Sequence, residues 1–306
     1  MDLSDEETSS TSSSEIESSS SSEEDDSKNG PSKRARFLST YRRNQDWSLP
    51  ESIIYYMAMN PKNAKVYEKL VHSCKYFFVK NPILVADRFD YDRVDGKWIH
   101  FVCRGRDCTK FSSVSSKFWI TKEFTQSFSS ILSKFYRVDV KELNISNQHI
   151  SLDDFVFLAS NVKYMRLWHT TVKNADSSIV PFEKLVKLLP KLNYIEFFND
   201  PKSSSITSNT VKELLELPHF SKIVNFRLSN ICELFDINTF FAYMKKIRST
   251  KFYIYFCPPL SEAFKIRLEE MIDEIIKSKI CGINLNFYGL DEEKHLKIRS
   301  LFEASR

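Results

Sequence analysis

The sequence predicts an α/β fold. Three observations carry that expectation. An alternating x-apolar-x-apolar motif recurs from residue 140 onward, at Leu143/Ile145, Met165/Leu167, Ile195/Phe197, Phe226/Leu228, Phe252/Ile254 and Ile283/Leu285. Helical periodicity fills the gaps, at 152–160, 182–189, 210–217, 237–248 and 261–277. And 42% of the 306 residues are hydrophobic, enough for a sizeable core. The motif returns after 22, 30, 31, 26 and 31 residues, so one strand-helix unit repeated at a fairly steady interval predicts a solenoid over 139–306. A compact α/β domain with a parallel sheet and right-handed crossovers would show the same alternation. The steady interval and the absence of glycine loops at strand ends favour the solenoid.

Residues 83–138 read as a mixed connector: strands at "ILVADRF", "KWIHFVC" and "KFWIT", then a helical stretch near Phe124 to Phe135. Residues 45–82 read as a helical hairpin. Ser48 and Glu51 form a capping box with Pro50 in the first turn, and Ile53, Ile54 and Met57 give an apolar stripe. Asn60-Pro61 breaks that helix. A second helix carries Val66, Leu70, Cys74 and Phe77 on one face, with Tyr67, Val71 and Phe78 beside it, and ends at Asn81-Pro82. Two short helices cannot hide that much apolar surface from each other, so part of it meets another body.

Residues 1–44 form an acidic, serine-rich tail ending in a basic cluster, and a disordered state is expected. The first thirty residues hold ten carboxylates against Lys28 alone, a charge of −9, and too few apolar residues to bury. The rest of the chain has 43 Lys and Arg against 30 Asp and Glu, a net +13, which would attract nucleic acid, acidic protein or the chain's own tail. Ser4, Ser14, Ser20, Ser21 and Ser22 each have a carboxylate three residues on, the pattern acidophilic kinases prefer, and phosphorylation would deepen the charge. Lys33, Arg34 and Arg36 in "PSKRARF" fit a nuclear import signal. No run of eighteen apolar residues exists and the N-terminus is acidic rather than basic, so cytoplasm, nucleus or both are the expected locations. Six dispersed cysteines are expected to stay reduced there.

Enzyme chemistry finds little support. Glycines at 30, 96, 105, 282 and 289 are too sparse for a phosphate-cradling loop. His100, Cys103 and Cys108 lack a fourth ligand and a tight C-x2-C knuckle, so no zinc site is expected. Asp90 and Asp92, with Asp95 and Gly96, suggest a calcium loop, but Phe101 stands where its closing glutamate should be. The same D-x-D pair is a weak glycosyltransferase signal. No catalytic residue, metal ligand or cofactor is expected, and the chain reads as a non-enzyme.

The informative surface is the face opposite the apolar pairs. Alternation places Arg166, Trp168, Phe198, Arg227, Tyr253, Tyr255 and Tyr288 on an open concave sheet face, and arginine, tyrosine and tryptophan dominate interface hot spots. Aromatics also favour sheets for their own cross-strand packing. The binding face is the sharper expectation.

Leu49-Pro50-Glu51, Ile53, Leu70 and the ending Cys74-Lys75-Tyr76-Phe77 resemble a divergent F-box. Together with "KFWITKEF", "VKELLELPHFSKI" and "RLEEMIDEII", they make residues 47–300 similar to a large nematode family of F-box-like proteins with degenerate leucine-rich-type repeats. The first helix departs from that pattern by being rich in Tyr and Met, and the final helix lacks the usual tryptophan. The resemblance implies an F-box-like hairpin followed by a leucine-rich-repeat-like solenoid. It further implies a substrate receptor of a cullin-type ubiquitin ligase, binding a Skp1-like adaptor through Leu49, Pro50, Ile53, Ile54, Leu70, Cys74 and Phe77 and a protein target through the concave face. The rival expectation is a nuclear nucleic-acid-binding or scaffold protein with no ligase role. No membrane partner is expected.

Overall fold

The computed structural model describes residues 39, 46–92, 97–103, 106–108, 115–125 and 132–304, with the backbone alone described between 89 and 108. Leu49–Arg306 forms one compact unit. Its elements in chain order begin with α1 (Glu51–Met59), α2 (Ala64–Ser73) and α3 (Lys75–Lys80), followed by β1 (Ile83–Asp92), β2 (Lys97–Cys103), β3 (Arg106–Cys108), β4 (Lys117–Thr125) and β5 (Phe135–Val138). Strands and helices then alternate: β6 (Glu142–Ser151), α4 (Leu152–Ala159), β7 (Tyr164–Lys173), α5 (Phe182–Lys187), β8 (Tyr194–Phe198), α6 (Thr210–Glu216), β9 (Asn225–Ile231), α7 (Ile237–Lys246), β10 (Lys251–Phe256), α8 (Glu262–Lys277), β11 (Ile283–Phe287) and α9 (Glu292–Glu303).

All eleven strands belong to one mostly parallel sheet, so the α/β expectation holds. Its order is β11-β10-β9-β8-β7-β6-β4-β1-β2-β3, with β5 sharing an edge of β4. From β6 to β11 each strand pairs in parallel with its successor in sequence, while β2 and β3 add antiparallel pairs at the far edge. The expected connector, 83–138, therefore supplies strands to the same continuous sheet.

The apolar pairs fall into two unbroken rows. Leu143, Met165, Ile195, Phe226, Phe252 and Ile283 are register partners across six strands, and so are Ile145, Leu167, Phe197, Leu228, Ile254 and Leu285. Every member is at most 2% exposed. The helices that follow each strand cover this face: Phe240 of α7 sits between strands, its ring 5.4 Å from Phe226 and 5.7 Å from Phe252. Burying such a ring stabilises the fold by roughly 1.5–3 kcal/mol. Side-chain caps start the helices, since Ser151, Asp236, Ser261 and Asp291 each accept the backbone N–H three residues on, at 3.0–3.3 Å.

α9, outside the sequence-predicted helices, closes the β11 edge. Its Ile298 is buried, Lys294 bridges to Asp273 of α8 at 2.8 Å, and Phe302 lies 6.4 Å from Tyr253. Covering that edge removes a row of unpaired backbone groups.

α1–α3 pack on the opposite face of the sheet. β1 and β4 present Leu84, Ala86, Phe118 and Ile120 to the main core, but Ile83 and Trp119 to a second, smaller core completed by Tyr67 of α2. The local details differ from the sequence reading. α1 begins at Glu51 with Pro50 as its N-cap and no side-chain capping bond, so Ser48 and Glu51 form no capping box. The expected second helix breaks at Cys74, whose backbone is extended (φ −154°, ψ 134°) and whose Sγ accepts the Tyr76 N–H at 3.4 Å. Of the helical stretch expected near Phe124 to Phe135, Phe124 instead completes β4, because Leu143 pairs beside it and the core takes its ring, Leu132–Lys134 forms a single 3-10 turn, Phe135 opens β5, and 126–131 lie outside the described residues.

Candidate functional site

The open face of the sheet is built by the residues that alternate with the buried rows. Register assembles three cross-strand rows. The first holds Glu142, Tyr164, Tyr194, Asn225 and Lys251. The second holds Asn144, Arg166, Glu196, Arg227, Tyr253 and Asn284, and the third Ser146, Trp168, Phe198, Ser229, Tyr255 and Asn286. Six of the seven expected target-binding residues thus lie on two neighbouring rows. Tyr288 does not. β11 ends at Phe287, and Tyr288, 73% exposed, stands in the turn that Gly289 makes at φ +96°.

The rows interact along their length. The Arg166 Nε–H reaches Glu196 Oε2 at 3.3 Å, and the guanidinium lies 5.3 Å from the centre of the Tyr194 ring. The Tyr194 hydroxyl donates to the same Glu196 oxygen at 2.9 Å. Burial first, and then the adjacent Glu196 carboxylate, hold the Tyr194 phenol above its ordinary value. Glu123 of β4 accepts from Arg88 at 3.1 Å and from Asn144 Nδ2 at 3.0 Å. Arg227 differs. Its guanidinium lies 6.0 Å from the Tyr253 ring, it has no described carboxylate partner, and its buried Nε is without an acceptor. Asn144 Oδ1 and Asn284 Oδ1, in the same row, are likewise buried without a donor.

Trp168 divides this face into two depressions. One, of about 270 Å³, is lined by Trp168, Glu196, Phe198, Arg227, Ser229 and Tyr253. The other, of about 350 Å³, is lined by Asn144, Ser146, Asn147, Arg166, Trp168 and His169 among others. Trp168 is 48% exposed and lies 6.5 Å from the Phe198 ring, which His169 covers at 4.4 Å. Such a surface, aromatic with paired and unpaired polar groups, suits contact with a polypeptide.

Sequence reasoning missed the positive-φ kinks within the strands and the asparagine bonds beside them. Asn147, His169 and Asn230 adopt φ of 56°, 47° and 63° just beyond the third row. Asn199 and Asn230 exchange side-chain-to-backbone hydrogen bonds at 3.2 and 2.9 Å. The signal was present: Asn147, Asn199 and Asn230 each stand two residues after an apolar pair.

The expected adaptor-binding residues divide. Leu49 and Ile53 are each 46% exposed, and Tyr56, one turn beyond Ile53, is 66% exposed. Pro50 is exposed, whereas Leu70 and Cys74 are half-buried. Ile54 and Phe77 are buried, at 5% and 3%, because they face inward from α1 and α3. These two residues pack the helices and are not part of an accessible patch.

Lys33, Arg34, Arg36, Ser4, Ser14, Ser20, Ser21 and Ser22 lie outside the described residues, as do the side chains of Asp90, Asp92, His100, Cys103 and Cys108. Among the described residues no three His, Cys, Asp or Glu side chains gather as metal ligands, and no helix is long and apolar enough to cross a membrane. The fold and face together define a mostly parallel α/β protein with one sheet face left open between α1–α3 at one end and α9 at the other. No family model matches the chain, and neither curated proteins nor solved structures give a match.

Proposed function

We propose that the chain is a non-catalytic receptor with two protein-binding surfaces: α1–α3 engage a Skp1-like adaptor of a cullin-type ubiquitin ligase, and the open sheet face engages a protein target. The observation that carries the reading is the two-sided character of α1. Ile54 and Ala58 are buried, while Ile53 and Tyr56, at helical spacing on another side, and Leu49 just before the helix remain exposed. A helix apolar on both sides has one side left for a second chain. Strands in sequence order with one-sided burial support reading the repeat region as a leucine-rich-repeat-like solenoid, whose open face is the usual place for capture.

The test is a pull-down of purified chain with a purified Skp1-like adaptor. The wild type is expected to retain the adaptor. The pair Leu49→Ala and Ile53→Ala should abolish retention with the melting temperature held, since both side chains are exposed. Full retention by the folded double variant, or none by the wild type, would sink the adaptor assignment. The nucleic-acid reading has less support on the open face, where Glu123, Glu142 and Glu196 accompany the arginines.

A further inference from the structure

The two ends of the repeat sheet carry opposite charge. Because β6 to β11 are parallel, every turn leading into one of these strands lies on the same rim. Those turns are 139–141, 160–163, 188–193, 217–224, 247–250 and 278–282. Each contains one exposed cation: Lys141, Lys163, Lys191, Lys222, Arg248 and Lys279 in turn. Their only carboxylate is Asp139, already held by Arg137 Nε at 3.0 Å and Trp119 Nε1 at 2.8 Å. None of the six cations is ion-paired with a described residue. Lys191 alone has a polar partner, the neutral Asn161 Oδ1 at 2.5 Å. At the other rim, the connections leaving the strands hold Asp176, Asp200, Glu233, Asp236 and Asp291, against Lys202.

A cation after a helix C-terminus is favoured by the helix dipole, which suits the five turns that follow α4 to α8, whereas Lys141 follows β5. The repeat then does something no single helix does, because it stacks the charges into a line. Adjacent strands are about 4.8 Å apart, so the six cations span about 24 Å, the length of about seven residues of extended chain. We infer that this rim is a docking track for an extended, polyacidic segment of a protein partner. It is a third interaction surface, independent of the adaptor-binding and open-face readings.

The geometry favours an acidic peptide over nucleic acid. Five of the six cations are lysines, point charges without the planar fork that grips phosphate bidentately. Phe220 is the only Phe, Tyr or Trp in the six turns and is buried, and the half-buried His219 ring is held to the Val186 carbonyl at 3.0 Å, so the turns offer no run of rings along which successive bases could stack. The tyrosines nearest the rim, Tyr164 and Tyr194, pack on each other at 6.0 Å, and Arg166 lies against the second. Glu142 borders the track at the β6 end and Lys251 at the β10 end, and Lys187, Lys246 and Lys277 add cations in the last turns of α5, α7 and α8.

Fluorescence anisotropy with the full chain tests this, using a labelled peptide of about twelve residues alternating Glu and Ser, with oligo-dT as the nucleic-acid probe. The expected result is peptide binding that weakens about tenfold or more in the quadruple variant K141Q/K163Q/K191Q/K222Q. The variant K62Q/K65Q/K69Q/K202Q removes the same charge elsewhere and should stay within about twofold of wild type. Absence of peptide binding, equal losses in both variants, or tighter binding of oligo-dT through the same lysines would each overturn the inference. A lowered melting temperature with unchanged peptide binding would assign the lysines to helix capping alone. Should the quadruple variant fail to fold, Lys163→Gln and Lys222→Gln measured singly must each weaken binding.

Discussion

Tyr67 on α2 and Trp119 on β4 place their ring centroids 6.4 Å apart, and this contact ties the N-terminal helices to the open side of the sheet. The Tyr67 hydroxyl strengthens the tie. It donates to the Asn81 carbonyl at 2.6 Å and accepts the Ile83 N–H at 3.1 Å, linking α2 to the start of β1. Tyr67→Phe leaves both backbone groups without their partner, and a loss of about 1–3 kcal/mol in urea unfolding is expected. Hydrogen exchange should localise the loosening to residues 49–83.

The same hydroxyl sets a pH dependence. Burial pushes the Tyr67 phenol up to about 12 from an ordinary 10. The unfolded chain therefore releases this proton first, and its contribution to stability is complete below about pH 10 and lost as pH rises toward about 12. Wild type should lose more stability than Tyr67→Phe across that window. Parallel melting curves for the two proteins check it, and equal alkaline losses would place the titrating group elsewhere.

Asn199 and Asn230 lead to a third prediction. Asn199, only 1% exposed, accepts the Ser205 N–H at 3.3 Å and exchanges bonds with Asn230 across β8 and β9. Asn199→Ala should cost about 1–3 kcal/mol by orphaning these groups. Asn230 has φ 63°, a conformation that glycine adopts without strain and alanine does not. Asn230→Gly should therefore be more stable than Asn230→Ala by about 1 kcal/mol, although both lose the same amide. Chemical denaturation of the pair provides the comparison.

Arg166 and Arg227 stand two strands apart in one row with unlike surroundings. Arg166→Met strands the half-buried Glu196 carboxylate and should destabilise, by up to about 1 kcal/mol for so exposed a pair. Arg227→Met removes a buried Nε that has no acceptor and should be neutral or slightly stabilising. The reverse order of melting temperatures would mean that Arg227, not Arg166, anchors the row.

The buried rows were legible because strand alternation is local: Met165 and Leu167 face inward and Arg166 outward whatever the partner strand is. Tyr288 was misassigned because alternation holds only while the strand lasts, and Gly289 turns the chain one residue later. The break at Cys74 was hidden because Val66, Leu70, Cys74 and Phe77 keep helical spacing straight through it. Which side of the sheet α1–α3 occupy depends on Trp119 meeting Tyr67, a contact between residues 52 apart that no periodicity encodes. The basic rim was invisible for a related reason. Lys163 and Lys191 are 28 residues apart in sequence and reach adjacent turns of one rim only when β7 and β8 pair.

The last prediction separates the two faces of the sheet by stability alone. Leu167 and Ile254 are fully buried in one row, and truncating either to alanine should cost about 2–5 kcal/mol through lost burial and the cavity left behind. Trp168 is adjacent to Leu167 but points the other way, 48% exposed, with one ring neighbour at 6.5 Å and another residue's depression on each side. Trp168→Ala loses that weak ring contact and only the buried half of its ring, and leaves no enclosed cavity, so its cost should stay below that of Leu167→Ala. Tyr255→Ala, in the same open row, should behave alike. Urea unfolding of the four variants measures the contrast. If Trp168→Ala and Tyr255→Ala fall as far as Leu167→Ala, those rings are part of the fold's support, and the open face loses the two residues best suited to bind another protein.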